Sequence, residues 1–134
     1  MGLIYSQFYT QLNKYIKINI KEIIHIDDEE LLRRAWKKYF NERGIAVHSF
    51  SSPTEFLALD QSLATSSPVF IDSYMGAEER GEDFAKKMFD NDFQYIYLAS
   101  NDASHIEISN YPWIKKTMGK SAKNALGNLL SDLG

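Results

Sequence analysis

The sequence predicts a doubly wound α/β domain, a parallel sheet with helices on both faces. Two observations predict it. Short apolar segments with the length of buried strands alternate with longer segments whose apolar residues recur at helical spacing. Acidic residues directly follow two of the apolar segments, and ligand-binding groups in such sheets lie where the strands end. Because parallel neighbours need long crossover connections, the alternation places helices between the strands.

The first strand and helix are predicted within residues 22–44. Residues 22–26 form a short, mainly apolar run typical of a buried strand, and His25 within it is expected to be a hydrogen-bonded core residue. An amphipathic helix follows, and Gly44 ends it. The apolar positions of this helix are Leu31, Leu32, Ala35, Trp36, Tyr39 and Phe40.

The second strand and helix follow directly. Residues 45–50 alternate between apolar and polar side chains, as a short strand does. Ser52 and Pro53 are typical of a helix start, because serine caps the first turn and proline suits its first position. His48 and His105 are expected at surface or loop positions. The apolar residues of the second helix are Phe56, Leu57 and Leu59.

The second half repeats the alternation. Strands are predicted at residues 69–71 and 95–99, and a fifth strand within 113–119. The pattern is weak over residues 101–111, where a short helix is compatible with the sequence. A last helix spans 121–133 with Leu126, Leu129, Leu130 and Leu133 inward. The third helix has one apolar face formed by Phe84, Ala85, Met88 and Phe89.

Composition restricts the class of protein. The 134 residues suit one domain, and the absence of cysteine excludes disulfides, thiolate metal sites and a cysteine nucleophile. The net charge is -3 with both signs scattered, so direct binding of nucleic acid is not expected. No apolar run approaches the roughly 20 residues that span a bilayer, so we expect no membrane insertion and a cytoplasmic location.

The domain is predicted to occupy residues 21–134. Residues 1–20 have partial helical spacing of apolar side chains and are interpreted as an N-terminal amphipathic extension or linker. Such an extension would pack on its own domain, form a homodimer, or connect to an upstream kinase domain.

Carboxylates concentrate after the first and third strands. Asp27 and Asp28 follow the first strand, and Asp72 follows the third. Three neighbouring carboxylates repel one another, which favours a divalent cation at this edge. Taken singly, each residue has a simpler interpretation, because acids also cap helices and occupy turns.

These residues belong to an ordered set that resembles the receiver domains of bacterial response regulators. The resemblance covers about residues 21–133, and Gly81 and Glu82 resemble the segment that follows the phosphorylated acid in this family. It implies a five-stranded, flavodoxin-like sheet of order 2-1-3-4-5. The set, with each member predicted at a strand end, is Asp27, Asp28, Asp72, Ser100 and Lys120.

The resemblance implies a role for each member. Asp72 would accept a phosphoryl group as an aspartyl phosphate, and the hydroxyl of Ser100 and the ammonium of Lys120 would bind phosphoryl oxygens. Lys115 and Lys116 compete with Lys120 for that role. The cofactor would be Mg²⁺. Its ligands would be Asp27, Asp28, Asp72 and the backbone carbonyl of Tyr74.

The implied function is signalling and not metabolic catalysis. A histidine kinase or phosphotransfer protein would donate the phosphoryl group, and a downstream protein would bind the switched surface. The alternative is a receiver-like interaction module that works without phosphorylation. A flavodoxin-like cofactor binder is disfavoured, because a flavin phosphate needs a glycine- or hydroxyl-rich cradle where this chain has acids.

Several residues depart from the usual receiver pattern. Ser121 stands where the family usually has a proline after the lysine, and Asn101 replaces a small residue beside the pocket. Asp102 adds a charge at its mouth. Thr117 occupies the position of the usual switch aromatic. The aromatic residues available to replace it are Tyr97, Tyr111 and Trp113.

Overall fold

Five parallel strands form one sheet in the order 2-1-3-4-5, with the strands numbered along the chain. The structure is a computed structural model that describes residues 20–59, 62–74, 79–101 and 106–133. The predicted fold class and strand order are confirmed. The strands are β1 (Glu22–Ile26), β2 (Ala46–Phe50), β3 (Val69–Ile71), β4 (Ile96–Ala99) and β5 (Lys116–Met118).

Helices cover both faces of the sheet and divide the core in two. The helices are α1 (Glu30–Asn41), α2 (Pro53–Ala58), α3 (Gly81–Asp90) and α4 (Ala122–Leu133), and a short 3-10 helix spans Ile108–Asn110. One core lies beneath α1 and α4 and contains Trp36, Phe40 and Leu129, whereas the other lies beneath α2 and α3 and contains Phe56 and Phe84.

Local sequence accounts for the ends of the first two helices. Gly44 adopts φ +76°, a left-handed conformation that suits glycine and follows the end of α1. The Ser52 hydroxyl accepts a hydrogen bond from the backbone N–H of Glu55 at 3.1 Å, and Pro53 is the first residue of α2. These features confirm the predicted helix boundaries on each side of β2.

Some predicted apolar faces are narrower than expected. Trp36 and Phe40 of α1 are fully buried, whereas Leu31 is 79% exposed and Ala35 is also exposed. Each exposed residue lies one position from a buried or half-buried one, and one position is about 100° around a helix. The same rotation exposes Leu57 and Phe89, whereas Leu59 is exposed because α2 ends before it at Ala58.

The histidine predictions are partly wrong. His25 is buried as expected, but its Nδ1 atom has no hydrogen-bond partner within the described ranges. Its ring instead stacks on Trp36, with ring centroids 3.8 Å apart. His48 lies in the edge strand β2 with its side chain 35% exposed, which agrees with a surface position, and its Nε2 atom lies 3.0 Å from a carboxylate oxygen of Glu22. His105 is outside the described residues.

The predicted extension at residues 1–20 lies outside the described residues except for Ile20, which packs against the core beneath α1 and α4. The domain boundaries therefore stay a prediction. Among the helices of the described ranges, none combines the length and the apolar character that a bilayer crossing requires.

Candidate functional site

Three carboxylates meet at the C-terminal edge of the sheet. Asp27 follows β1 and Asp72 follows β3, and these strands are hydrogen-bonded neighbours. One carboxylate oxygen from each of Asp27, Asp28 and Asp72 lies within 4.8 Å of the others. Asp27 and Asp72 are buried, whereas Asp28 is exposed at the rim. Parallel pairing thus brings together acids that are 45 residues apart in the sequence.

Lys120 supplies a cation to this cluster. Its Nζ atom lies 3.0 Å from Oδ2 of Asp72, 3.3 Å from Oδ2 of Asp27 and 3.4 Å from Oε1 of Glu29. The competing lysines lie elsewhere. Lys116 pairs with Asp132 at 2.6 Å, and the Nζ atom of Lys115 lies 5.5 Å from the ring centroid of Tyr95. The 3.0 Å contact places Lys120 beside Asp72, whereas Lys115 and Lys116 contact other side chains.

Burial and mutual repulsion perturb the titration of the pocket. Burial raises the pKa of Asp27 to about 6, despite a backbone hydrogen bond from Glu29 and the nearby ammonium. Burial likewise raises the pKa of Asp72 above its ordinary value. Burial alone would lower the pKa of Lys120, but its hydrogen bond to Asp72 and the charges of Asp27 and Asp72 outweigh it and raise that pKa. Lys120 therefore stays cationic.

The donor set fits a hard divalent cation. Oδ1 of Asp27 accepts the backbone N–H of Glu29 at 2.9 Å, whereas the buried Oδ2 has the Lys120 ammonium, 3.3 Å away, as its polar neighbour within the described ranges. The Asp72 carboxylate accepts the backbone N–H of Tyr74. With all groups ionised, three carboxylates and one ammonium leave an excess of two negative charges. Oxygen ligands with surplus negative charge suit Mg²⁺.

Comparison with known structures identifies the fold. The response regulator TrrA from Thermotoga maritima, in complex with Mg(2+)-BeF, matches with a TM-score of 0.70 at 20% identity, covering 86% of this chain and 100% of that chain. A receiver domain from Clostridium thermocellum matches with a TM-score of 0.69 at 19% identity, covering 85% and 94%. The chain has the fold of a response-regulator receiver domain. No family model and no curated protein matches the sequence.

A third receiver domain, from Methylobacillus flagellatus, has a TM-score of 0.70 at 13% identity and covers 86% of this chain and 99% of that chain. This chain therefore spans nearly the whole length of the receiver structures that it matches. Identities this low show the fold alone.

Ser100 directly follows β4, which lies in the sheet between β3, followed by Asp72, and β5, followed two residues later by Lys120. It is buried, and its backbone N–H donates to the carbonyl of Met118 at 2.9 Å, which joins the end of β4 to β5. The role of its hydroxyl stays a prediction, as does the carbonyl of Tyr74 as a metal ligand. Asn101 is exposed beside it, and Asp102 lies outside the described residues.

The first residue of α3, Gly81, lies against the backbone of Asp72. A Cβ atom added to Gly81 would lie 2.0 Å from the Asp72 carbonyl oxygen, so only glycine allows this approach. Beside it, the buried carboxylate of Glu82 accepts hydrogen bonds from Ser73 at 2.7 Å and from Arg80 at 3.2 Å. The sequence resemblance singled out Gly81 and Glu82, but nothing in the local pattern predicted Arg80 as a partner.

Two further contacts were missed by sequence reasoning. Nη1 of Arg33 donates to the carbonyl of Asp27 at 2.8 Å, and the indole N–H of Trp36 donates to the carbonyl of Lys120 at 2.9 Å. Helical spacing assigned Trp36 to packing only. The two residues of the second contact are 84 positions apart, so no sequence signal short of the fold itself could have paired them.

The candidate switch aromatics divide between the two faces. Tyr97 lies in the core beneath α4, where its hydroxyl donates to Asp132 at 2.9 Å. Tyr111 and Trp113 pack against the opposite core, and the Trp113 indole donates to the carbonyl of Glu82 at 2.8 Å. Trp113 is thus the candidate that contacts the segment behind Asp72. Whether it acts as a switch stays a prediction.

Proposed function

We propose that this chain is a phosphoacceptor receiver domain of a two-component or phosphorelay system, with Asp72 as the phosphorylated residue. One observation carries the proposal: within a receiver fold, Asp72 lies 3.0 Å from Lys120 and within 4.8 Å of two further carboxylates. The domain is a signalling phosphoacceptor that catalyses only its own phosphorylation and dephosphorylation. Its cytoplasmic location and bacterial origin stay predictions.

The chemistry is a transfer to a carboxylate oxygen. An oxygen of Asp72 attacks the phosphorus of a phosphohistidine, a phosphorus–oxygen bond forms, and the phosphorus–nitrogen bond breaks with its electron pair left on the histidine nitrogen. The Lys120 ammonium would bind one phosphoryl oxygen, a role supported by its 3.0 Å distance from Asp72. The Ser100 hydroxyl at the end of β4 is assigned to another.

The carboxylates would hold magnesium beside this centre. Asp27 and Asp28 would hold it, one directly and the other directly or through water, with Asp72 and the Tyr74 carbonyl completing the protein ligands. When bound, Mg²⁺ offsets the negative charge that accumulates between the carboxylates and the phosphoryl oxygens. Because burial raises the pKa values of Asp27 and Asp72, a cation also favours the ionised form of Asp72 that attacks phosphorus.

Phosphorylation would change a surface to which a partner protein binds. Ser100 and Lys120 belong to the segments that follow β4 and β5. A phosphoryl group on Asp72 that binds both side chains would pull these segments toward it and shift the balance between two arrangements of each segment. The phosphoryl donor is a histidine kinase or a phosphotransfer protein, and the partner that binds the changed surface is a downstream protein.

The direct test is intact mass after incubation with Mg²⁺ and acetyl phosphate. Wild type should gain one phosphoryl group, and Asp72→Asn should gain none. Asp132→Asn is the matched control, because Asp132 also forms a close lysine pair but lies outside the acidic cluster. Equal phosphorylation of Asp72→Asn and wild type would refute the assignment of Asp72.

A phosphorylation-independent interaction module is the second candidate. It is favoured by Thr117, a half-buried threonine in β5 at the position of the usual switch aromatic. A module of this kind has no need for magnesium. A folded protein that neither binds Mg²⁺ nor gains a phosphoryl group would support it. Magnesium binding without phosphorylation calls for the same assay with a histidine-phosphorylated donor protein.

A further inference from the structure

The indole of Trp36 connects α1 to the loop that carries Lys120. Trp36 is fully buried, and its Nε1–H donates to the Lys120 carbonyl oxygen at 2.9 Å. Lys120 follows β5, whereas α1 follows β1, so this bond joins two segments at the same edge of the sheet. Its position makes it a constraint on the backbone from which the lysine side chain extends.

The ring itself is held by residues that precede the two buried acids. It stacks on His25 with centroids 3.8 Å apart and planes inclined by 7°, and it meets Phe70 edge-on at 5.2 Å. His25 and Phe70 are paired across β1 and β3, two positions before Asp27 and Asp72 respectively. The indole therefore rests on both strands that deliver the acids while its N–H holds the lysine loop.

The neighbours of Lys120 add to the need for such a constraint. Gly119 precedes it, and glycine restricts the backbone least. Ser121 follows where receivers usually carry proline, and its hydroxyl accepts the backbone N–H of Asn124 at 3.3 Å. Cis peptide bonds are absent from the described parts of the chain. The Trp36 bond thus acts on the residue between a flexible glycine and the start of α4.

We propose that Trp36 is the positioning residue for Lys120, and that the bond from its indole N–H to the Lys120 carbonyl sets the distance between the Lys120 ammonium and the Asp72 carboxylate. The lysine side chain has four rotatable bonds, so its ammonium reaches 3.0 Å from Asp72 reproducibly only if its backbone is fixed. The inference rests on the proposed function of Asp72. Misplacing a reacting group by about 1 Å costs up to ~100-fold in rate.

The test is a double-mutant cycle on the rate of phosphorylation by acetyl phosphate. Trp36→Phe removes the donor, and we expect it to slow phosphorylation by about tenfold when Lys120 is present. In a Lys120→Met background the same change should cost less than about twofold, because the lysine through which Trp36 acts is gone. An equal loss in both backgrounds would show a purely structural role and overturn the proposal.

Phe40→Leu is the matched control. Phe40 is fully buried in the same core, and its ring centroid lies 5.7 Å from that of Trp36. Its side chain has no hydrogen-bond donor. This variant loses packing without losing the bond to Lys120, so its rate should stay within about twofold of wild type. If Trp36→Phe does not fold, benzothienylalanine at position 36 keeps the bicyclic shape and removes only the N–H.

A second readout separates this proposal from the proposed function. In protein without phosphodonor, ¹⁵N-edited NMR measures how fast the Lys120 ammonium protons exchange with water, and Lys120→Met assigns the signal. Loss of the Trp36 bond should raise the exchange rate by about tenfold, whereas Phe40→Leu should leave it unchanged. If wild type accepts no phosphoryl group from acetyl phosphate or from a histidine-phosphorylated donor protein, the proposed function fails, and the exchange rate still tests the positioning role. An unchanged exchange rate on loss of the indole N–H overturns the positioning role.

Discussion

Two lysine–aspartate pairs lie near opposite ends of β5, and they differ in how completely their charges are balanced. Lys116 at the start of the strand pairs with Asp132 at 2.6 Å, and the second oxygen of that carboxylate accepts the Tyr97 hydroxyl at 2.9 Å. One ammonium faces one carboxylate, and both carboxylate oxygens are occupied. This pair joins α4 to the sheet, and each Asp132 oxygen already has a donor.

The pair beyond the other end of β5 is unbalanced. Lys120 lies 3.0 Å from Asp72 and 3.3 Å from Asp27, but Asp28 also belongs to the cluster, so one ammonium faces three carboxylates. The same two residue types therefore produce a closed structural contact in one place and an open acidic pocket in the other. The difference teaches that the number of neighbouring carboxylates, rather than the ion pair itself, determines whether the site can take a cation and a phosphoryl group.

The largest expected difference is in phosphorylation rate. Lys120→Met should slow transfer from acetyl phosphate by about 100-fold or more, because it removes the one cation that faces Asp72 within the described ranges. Lys116→Met should change the rate by less than about twofold, since its partner is Asp132. Single-turnover intact-mass kinetics measures both. Similar losses in the two variants would erase the proposed distinction between the pairs.

Stability should respond with opposite signs at the two pairs. In metal-free buffer at pH 7, Asp27→Asn should raise the free energy of unfolding by about 2–3 kcal/mol, because it removes a buried charge whose pKa is raised to about 6. Asp132→Asn should lower it by about 1–2 kcal/mol, because it removes one member of a hydrogen-bonded pair. Urea denaturation measures both free energies of unfolding. A change of the same sign in the two variants would contradict the comparison.

The stabilisation by Asp27→Asn should depend on pH. The folded pKa of Asp27 is raised, so the folded state binds the proton more tightly than the unfolded state. Wild type therefore loses stability relative to the variant as pH rises from about 4 to about 6. Burial lowers the pKa of His25 to about 3, which makes an opposite contribution to both proteins and cancels in their difference. A difference that stays constant from pH 4 to 7 would rule out this origin.

Magnesium affinity should separate the same carboxylates. Asp27→Asn should weaken Mg²⁺ binding by about tenfold or more, because a buried anionic oxygen is lost from the donor set. Asp132→Asn should leave the affinity within about twofold, since Lys116 and Tyr97 occupy its oxygens. Isothermal titration calorimetry at pH 7 measures both constants. Equal affinities for Asp27→Asn and wild type would exclude Asp27 as a ligand.

The smallest effect is expected at the rim of the pocket. Glu29 lies 3.4 Å from the Lys120 ammonium, but its side chain is 56% exposed. Solvent screens such a contact, so Glu29→Gln should change the phosphorylation rate by less than about twofold. The assay used for Lys120→Met measures it. A loss approaching that of Lys120→Met would mean that the open pocket extends to the solvent-exposed rim.

Much of the fold followed from local patterns. The alternation of strands and helices, the end of α1 before Gly44 and the start of α2 at Pro53 depend on neighbouring residues and were predicted correctly. The positions of Asp27 and Asp72 at strand ends also followed, because the C-terminal ends of parallel strands share one edge. Leu31 and Leu57 were placed wrongly, because spacing identifies an apolar stripe more easily than its exact width.

The sequence by itself therefore determined which elements form, where they end and which acids meet at the edge of the sheet. Only the tertiary structure decided that Lys120 faces Asp72 while Lys116 pairs with Asp132, and that Trp36 holds the Lys120 carbonyl. The physical reason is the separation along the sequence over which each interaction acts. Helix caps and strand ends arise from interactions over a few residues, whereas these contacts join residues 16 to 84 positions apart whose distances are set by how the helices pack on the sheet.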